Sequence, residues 1–184
     1  SCNAPTRMLV PRGKHDEALL IAKATADTVK AGDPFAEGTV IGPVVNDIQF
    51  DKIQALIQKG IDEGATLVAG GTGRPDGLTA GYYVKPTIFG NVTNDMTIAQ
   101  EEIFGPVFAM MVVDSDAAAI KLANETCNGL QASLFTSNVT KAHKYGRALQ
   151  AGTVSVNCYA EGDVTTPFGG YKLSGFGGRD NSLM

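Results

Sequence analysis

Tryptophan is absent from the 184 residues, aromatic side chains make up only 7 %, and cysteine occurs three times. Cys2, Cys127 and Cys158 are an odd set with no C-x-x-C pair. That pattern argues against a disulfide framework and a structural zinc site, so no metal is expected and a reducing cytoplasm is. No stretch approaches the ~18 apolar residues that span a bilayer, and no basic segment followed by an apolar one opens the chain as a secretory signal would. Clusters of Lys and Arg are also lacking: fifteen basic against nineteen acidic residues give a net charge of -4. An electrostatic footprint for nucleic acid or an anionic membrane is therefore missing, which favours work on small molecules. An initiator Met is missing as well. Ser1-Cys2-Asn3-Ala4-Pro5 runs straight into a strand-like segment, and the expectation is a piece excised from a longer chain.

What is present is a globular composition, 43 % apolar and 18 % charged, enough for one α/β or α+β domain. Arg7 to Val10 reads as a strand and His15 to Ala31 as a helix closed by Gly32 and Asp33-Pro34. Ile53, Leu56, Ile57 and Ile61 recur three and four residues apart, which predicts a helix capped by Asn46 or Asp47 and followed by Gly64. Strands are expected at Thr66 to Ala69, Val107 to Val113, Ala132 to Phe135 and Thr153 to Val156, with an extended segment from Tyr82 to Phe89. Further helices are expected over about Asp116 to Cys127, capped by Asp114 or Ser115, and over Val139 to Leu149. Strands alternating with helices call for an α/β fold: a layered, largely parallel sheet covered by helices on both faces.

Four places carry candidate chemistry. Cys2 is inert or nucleophilic, and its neighbours alone do not choose between the two, because unactivated thiols are mostly protonated at neutral pH. The run Gly70 to Gly77 matches neither G-x-G-x-x-G nor the P-loop pattern and reads as a hairpin connection. Glu101-Glu102 precede a rigid Ile103-Phe104-Gly105-Pro106 step at the start of a buried strand, where a carboxylate is either solvated or holds a sugar hydroxyl. In Pro167 to Gly175 the glycines allow close approach around Phe168, as a pocket wall or a plain surface loop would use. His15 and His143 both fall on predicted helices among polar residues, and neither reads as a base or a ligand.

Taken in order, Cys2-Asn3-Ala4-Pro5-Thr6-Arg7, Glu101-Glu102-Ile103-Phe104-Gly105-Pro106-Val107, Asn157-Cys158-Tyr159 and Pro167-Phe168-Gly169-Gly170-Tyr171-Lys172-Leu173-Ser174-Gly175 closely resemble the aldehyde dehydrogenase superfamily. The likeness runs over nearly the whole chain, with no single block decisive. It implies that residues 1–184 are the catalytic domain, which in the family packs against an NAD(P)-binding domain. NAD or NADP is then the cofactor and a small aldehyde the substrate, oxidised to its acid through a thiohemiacetal and a thioester. By this resemblance Cys2 is the nucleophile and its backbone N–H an oxyanion donor. The second donor, an Asn, and the general base, a Glu, fall outside these residues. Glu102 matches the carboxylate that holds the nicotinamide ribose, Phe104 packs near the nicotinamide, and Phe168 walls the aldehyde tunnel. The oligomerisation strand is likewise outside, and the parent is expected to be a homodimer or homotetramer.

Between Tyr159 and Pro167 the expected substrate loop carries Glu161 and Asp163 in place of apolar residues. Charge complementarity favours a polar or cationic aldehyde. With Gly178 to Ser182, the loop is similar to bacterial enzymes that oxidise aminobutyraldehyde derivatives in polyamine breakdown. The segment Gly175 to Asp180 is one residue longer than the common family form, so Asp180 is given no proton-relay role. Two alternatives remain open: CoA-acylating semialdehyde oxidation with the same thiol, and a domain inactive when isolated.

Overall fold

A run of seven apolar residues can serve as a strand buried on both faces, and in the computed structural model Val107–Val113 is that strand, β4. Residues 2–159, 165 and 167–175 are described. The chain divides into two compact units, Thr6–Asp114 and a second made of Ser1–Pro5 with Ser115–Met184.

In the first unit β4 lies between β1 (Arg7–Pro11) and β3 (Thr87–Gly90), parallel to both, and β2 (Thr66–Ala69) joins β3 antiparallel, giving the order β1-β4-β3-β2. The pairing sets Ile88 opposite Phe108 and Phe89 opposite Ala109. Side chains alternate across a strand, so each set faces a different layer. Ile88, Phe108 and Met110 join Val10 under α1 (His15–Thr28), which adds Ala18, Leu19, Ala22 and Ala26. Phe89 points the other way, toward α2 (Asp47–Asp62): a methyl group on Gly60 of α2 would lie 2.9 Å from Ile98 and 3.2 Å from the Phe89 ring. Helices thus cover both faces of a largely parallel sheet, as expected. Ile53, Ile57, Phe89, Met110 and Met111 are essentially fully buried.

Local signals explain the ends of these elements. Asn46 rather than Asp47 caps α2, its side chain accepting from Gln49 N–H at 2.9 Å. The helix α1 stops at Thr28 instead of continuing to Ala31, because Lys30 C=O accepts the amides of Val40 and Ile41 and Ala31 bridges Ile41. The extended segment from Tyr82 is paired as a strand only from Thr87, and residues 70–86 connect two antiparallel neighbours. At its start Gly70 has φ 76°, and any side chain there would run into Pro86 C=O.

The second unit is a strand–helix–strand arrangement: β5 (Gln131–Leu134) and β6 (Thr153–Val156) pair in parallel, joined through α5 (Val139–Ala148). It is preceded by α4 (Asp116–Asn124), capped by Ser115, while Asp114 pairs instead with Arg12 at 2.6 Å. Lys141 Nζ at 2.6 Å and Tyr145 Oη at 3.0 Å both donate to Asp116, fastening α5 to α4. Helix α4 ends three residues before Cys127: Asn124 bonds Ala148 C=O and Gln150 N–H, and Lys172 Nζ takes Asn124 C=O at 2.6 Å and Thr126 C=O at 3.0 Å.

Candidate active-site residues

In the unit Thr6–Asp114, Glu101 and Glu102 leave the end of a short helix, α3 (Thr97–Gln100), and both are exposed. That helix is fixed from below. Glu63, just past α2, accepts from Thr97 Oγ1 at 2.6 Å and Thr97 N–H at 2.7 Å, and these bonds hold its carboxyl below the ordinary glutamate range. Ile103 is buried and pins the loop, while Phe104 is half exposed with φ 56°, a left-handed conformation that a bulky side chain rarely takes. Gly105 follows because Ile53 Cδ1 lies 2.6 Å from where a side chain would begin.

The loop carbonyls are all taken up. Gln49 Nε2 donates to Ile103 C=O at 3.0 Å and Phe104 C=O at 3.1 Å, Lys52 Nζ donates to Glu102 C=O at 2.8 Å, and Pro106 C=O accepts from Thr87 N–H at 2.8 Å. Gln49 and Lys52 escaped the sequence reading. Their only signal is a spacing of three residues on α2, where Gln49, one turn before the buried Ile53, is half-buried and Lys52 is exposed.

In the other unit Cys2 is exposed and carries a free thiol, Cys158 is half-buried and Cys127 exposed. Asn157 has φ 58° and links the C-terminal ends of the two strands. Its Oδ1 accepts from Thr136 N–H at 2.8 Å and its Nδ2 donates to Thr136 C=O at 2.9 Å, with the Tyr159 ring tilted against Phe135, centroids 4.9 Å apart. Asn157-Cys158-Tyr159 therefore leaves the sheet at the carboxyl ends of its strands, the edge where open α/β sheets bind ligands. Phe168 is half-buried. Its neighbours are held close: Tyr171 N–H donates to Gly129 C=O at 2.8 Å, Gly129 N–H to Ser174 Oγ at 3.0 Å, and Gly152 leaves no room for a side chain beneath Gly169.

Glu161, Asp163, Asp180 and the stretch 178–182 lie outside the described residues. Cys2 and Phe168 fall in one unit, Glu102 and Phe104 in the other. His143 is exposed on α5. His15 departs from its polar surroundings in sequence: only 5 % exposed, it has Nδ1 at 3.4 Å from Asp16 and Nε2 without a hydrogen-bond partner. Among the described residues no three His, Cys, Asp or Glu gather as a metal site, and no helix is long and apolar enough to cross a membrane.

The aldehyde dehydrogenase family pattern matches residues 1–183. The chain belongs to that family. It is 45 % identical over 177 residues to a 3-succinoylsemialdehyde-pyridine dehydrogenase of Pseudomonas sp, covering 96 % of this chain and 37 % of the relative. Among solved structures it is similar to a Pseudomonas syringae aldehyde dehydrogenase crystallised with NAD+ and octanal (45 % identity, TM-score 0.93, 96 % of this chain and 36 % of that one). An indole-3-acetaldehyde dehydrogenase in complex with NAD+ matches at 46 % identity with TM-score 0.94, over 100 % of this chain and 37 % of that one. The chain thus spans 37 % of the length of the curated relatives it matches.

Proposed function

We propose that the whole protein oxidises an aldehyde to its carboxylic acid with NAD or NADP, and that residues 1–184 are its catalytic domain. The observation that carries this reading is an exposed thiol, Cys2, at the head of a chain matched to the family over residues 1–183. The Cys2 thiolate adds to the carbonyl carbon and converts it from planar to tetrahedral, leaving an oxyanion that the Cys2 N–H helps to stabilise. Loss of hydride leaves the acyl group on Cys2 as a thioester, which water hydrolyses. The dinucleotide, when bound, supplies the hydride acceptor. Glu102 and Phe104 fit such a group: an exposed carboxylate for ribose hydroxyls and a half-exposed ring, both on a loop whose carbonyls are already bonded.

The general base, the second oxyanion donor, the dinucleotide domain and the strand that completes a homodimer or homotetramer are assigned to further sequence of the same protein. The setting is a reducing cytoplasm, consistent with three free cysteines. Relatives at 45–46 % identity bear names or ligands as different as octanal, indole-3-acetaldehyde and a pyridine semialdehyde, so overall identity does not select the aldehyde. Phe168 is assigned to the aldehyde tunnel. The polar or amino-aldehyde preference rests on Glu161 and Asp163.

In the whole protein, Cys2→Ala is expected to lower kcat by at least about a thousandfold with NAD binding retained. Turnover near the original rate overturns the reading. The 184-residue chain alone is expected to show no steady turnover with NAD and an aldehyde, and Glu161→Ala with Asp163→Ala to lower kcat/KM for amino-aldehydes relative to aliphatic ones.

A further inference from the structure

We infer that Lys172 is a positioning residue that sets the place of Phe168, and through it the preference among aldehydes. The inference rests on the assignment of Phe168 to the aldehyde tunnel. Two observations on Lys172 carry it. Its φ is 57°, a left-handed conformation that favours glycine and strains a lysine. Its amine is nevertheless engaged twice, Nζ donating to Asn124 C=O at 2.6 Å and to Thr126 C=O at 3.0 Å. A lysine therefore stands where the backbone alone would favour a residue without a side chain, and what it adds is the ammonium group.

The carbonyls it meets suit a cation. Asn124 is the last residue of α4, so its C=O has no partner further along the helix and lies at the negative end of the helix dipole. An ammonium group bonds both acceptors and matches that dipole, which a neutral chain of the same length cannot do. Backbone bonds continue the seam: Leu173 N–H donates to Cys127 C=O at 3.0 Å and Tyr171 N–H to Gly129 C=O at 2.8 Å. Residues 171–173 thus lie along 124–129, a stretch fixed in turn by the Asn124 side chain on Ala148 C=O and Gln150 N–H.

Tyr171 and Leu173 are exposed, so burial of apolar surface does little to hold this segment. A second side-chain link is Ser174 Oγ, accepting from Gly129 N–H at 3.0 Å. From this turn the constraint reaches Phe168 through two glycines with no slack. A side chain on Gly170 would begin 2.6 Å from Ser174 Cβ, and one on Gly152 would overlap Gly169 C=O. A shift of the turn at 171–174 therefore carries Phe168 with it. A tunnel wall displaced by about 1 Å alters which aldehyde fits and leaves dinucleotide binding alone.

The experiment uses the whole protein with Lys172→Gly, Lys172→Met, Lys172→Arg and Phe168→Ala, assayed with NAD and with propanal, octanal and 4-aminobutanal. Lys172→Gly removes the amine and relieves the left-handed strain, whereas Lys172→Met removes the amine and keeps the strain, so the glycine variant should melt no lower than the methionine one. Both are expected to raise KM for the preferred aldehyde about five- to tenfold and to cut its advantage in kcat/KM over the other two by a similar factor, with KM for NAD changed less than about twofold. Lys172→Arg keeps a cation with several donors and should stay within about twofold of the original. In the Phe168→Ala background, Lys172→Gly should add less than about twofold, because it acts through that ring.

An unchanged aldehyde KM in Lys172→Gly and Lys172→Met, while Phe168→Ala raises it, overturns the proposal. So does full additivity with Phe168→Ala, which would give Lys172 an effect independent of the ring. A loss confined to the amount of folded enzyme, followed by melting temperature and titration of Cys2, also overturns it, as does a Lys172→Arg variant as impaired as Lys172→Met. Unchanged KM and aldehyde preference in Phe168→Ala remove the tunnel assignment itself, and the inference with it.

Discussion

The two units share an alternation of strands and helices but differ in what they bury. Every buried apolar side chain among the described residues belongs to Thr6–Asp114, where β3 is buried throughout and β4 at five of seven positions. In the other unit no residue of α4 or α5 is buried, β5 is half-buried at all four positions, and Ser155 is the buried side chain. Phe135, Tyr159, Tyr171 and Leu173 are more than half exposed. A two-stranded sheet without a buried core is marginal by itself. The contrast teaches that the proposed cofactor loop stands on a self-supporting core, whereas the proposed nucleophile and tunnel wall belong to a unit held mainly by polar links and close glycine contacts.

The largest effect that probes this contrast is Phe89→Ala, expected to destabilise the chain by about 3–5 kcal/mol in urea unfolding, against about 1 kcal/mol or less for Phe135→Ala. Equal losses would erase the distinction. Next comes Gly105→Ala, which forces a methyl group against Ile53 and is expected to cost about 1–3 kcal/mol in the same assay. A neutral outcome would show that the turn at Phe104 is not confined from below.

Smaller effects concern pH. The Glu63 carboxyl is lowered from its usual 4.5, first by the Thr97 hydroxyl and then by the Thr97 amide. Its contribution is therefore full above about pH 4.5 and is lost as pH falls through the lowered value. Glu63→Gln should flatten the acid side of the melting-temperature profile in that window. An unaltered profile would remove Glu63 as the anchor of α3. Asp116, lowered by Lys141 and then Tyr145, follows the same sign from 3.8 downward. Being solvent-facing, Asp116→Asn should give the smallest shift, and one that shrinks with added salt.

Much of the stronger unit was legible in sequence, for physical reasons. The run from Val107 to Val113 has no polar interruption and is short and rich in Val, which suits a doubly covered strand, and the spacing of Ile53, Leu56, Ile57 and Ile61 suits a helix. The end of α1 was not legible, because it depends on pairing between Lys30 and Val40–Ile41, a tertiary choice that propensity does not encode. The Cys2 and Glu102 positions were read from collinear blocks rather than from their neighbours. Gln49 and Lys52 went unread because polar residues at the margin of a helix's buried stripe look the same whether they face water or a loop carbonyl. The burial of His15 was not legible either, its neighbours in sequence being polar while its position at the start of α1 is buried.

The central claim, that Cys2 carries the acyl group, is tested most directly by trapping it. The whole protein is mixed with NAD and an aldehyde, quenched in acid during the first turnover, digested and analysed by mass spectrometry. The acyl mass is predicted on the peptide containing Cys2 and absent from those containing Cys127 and Cys158. An acyl adduct on either of those cysteines, or steady turnover with Cys2 never modified, would contradict it.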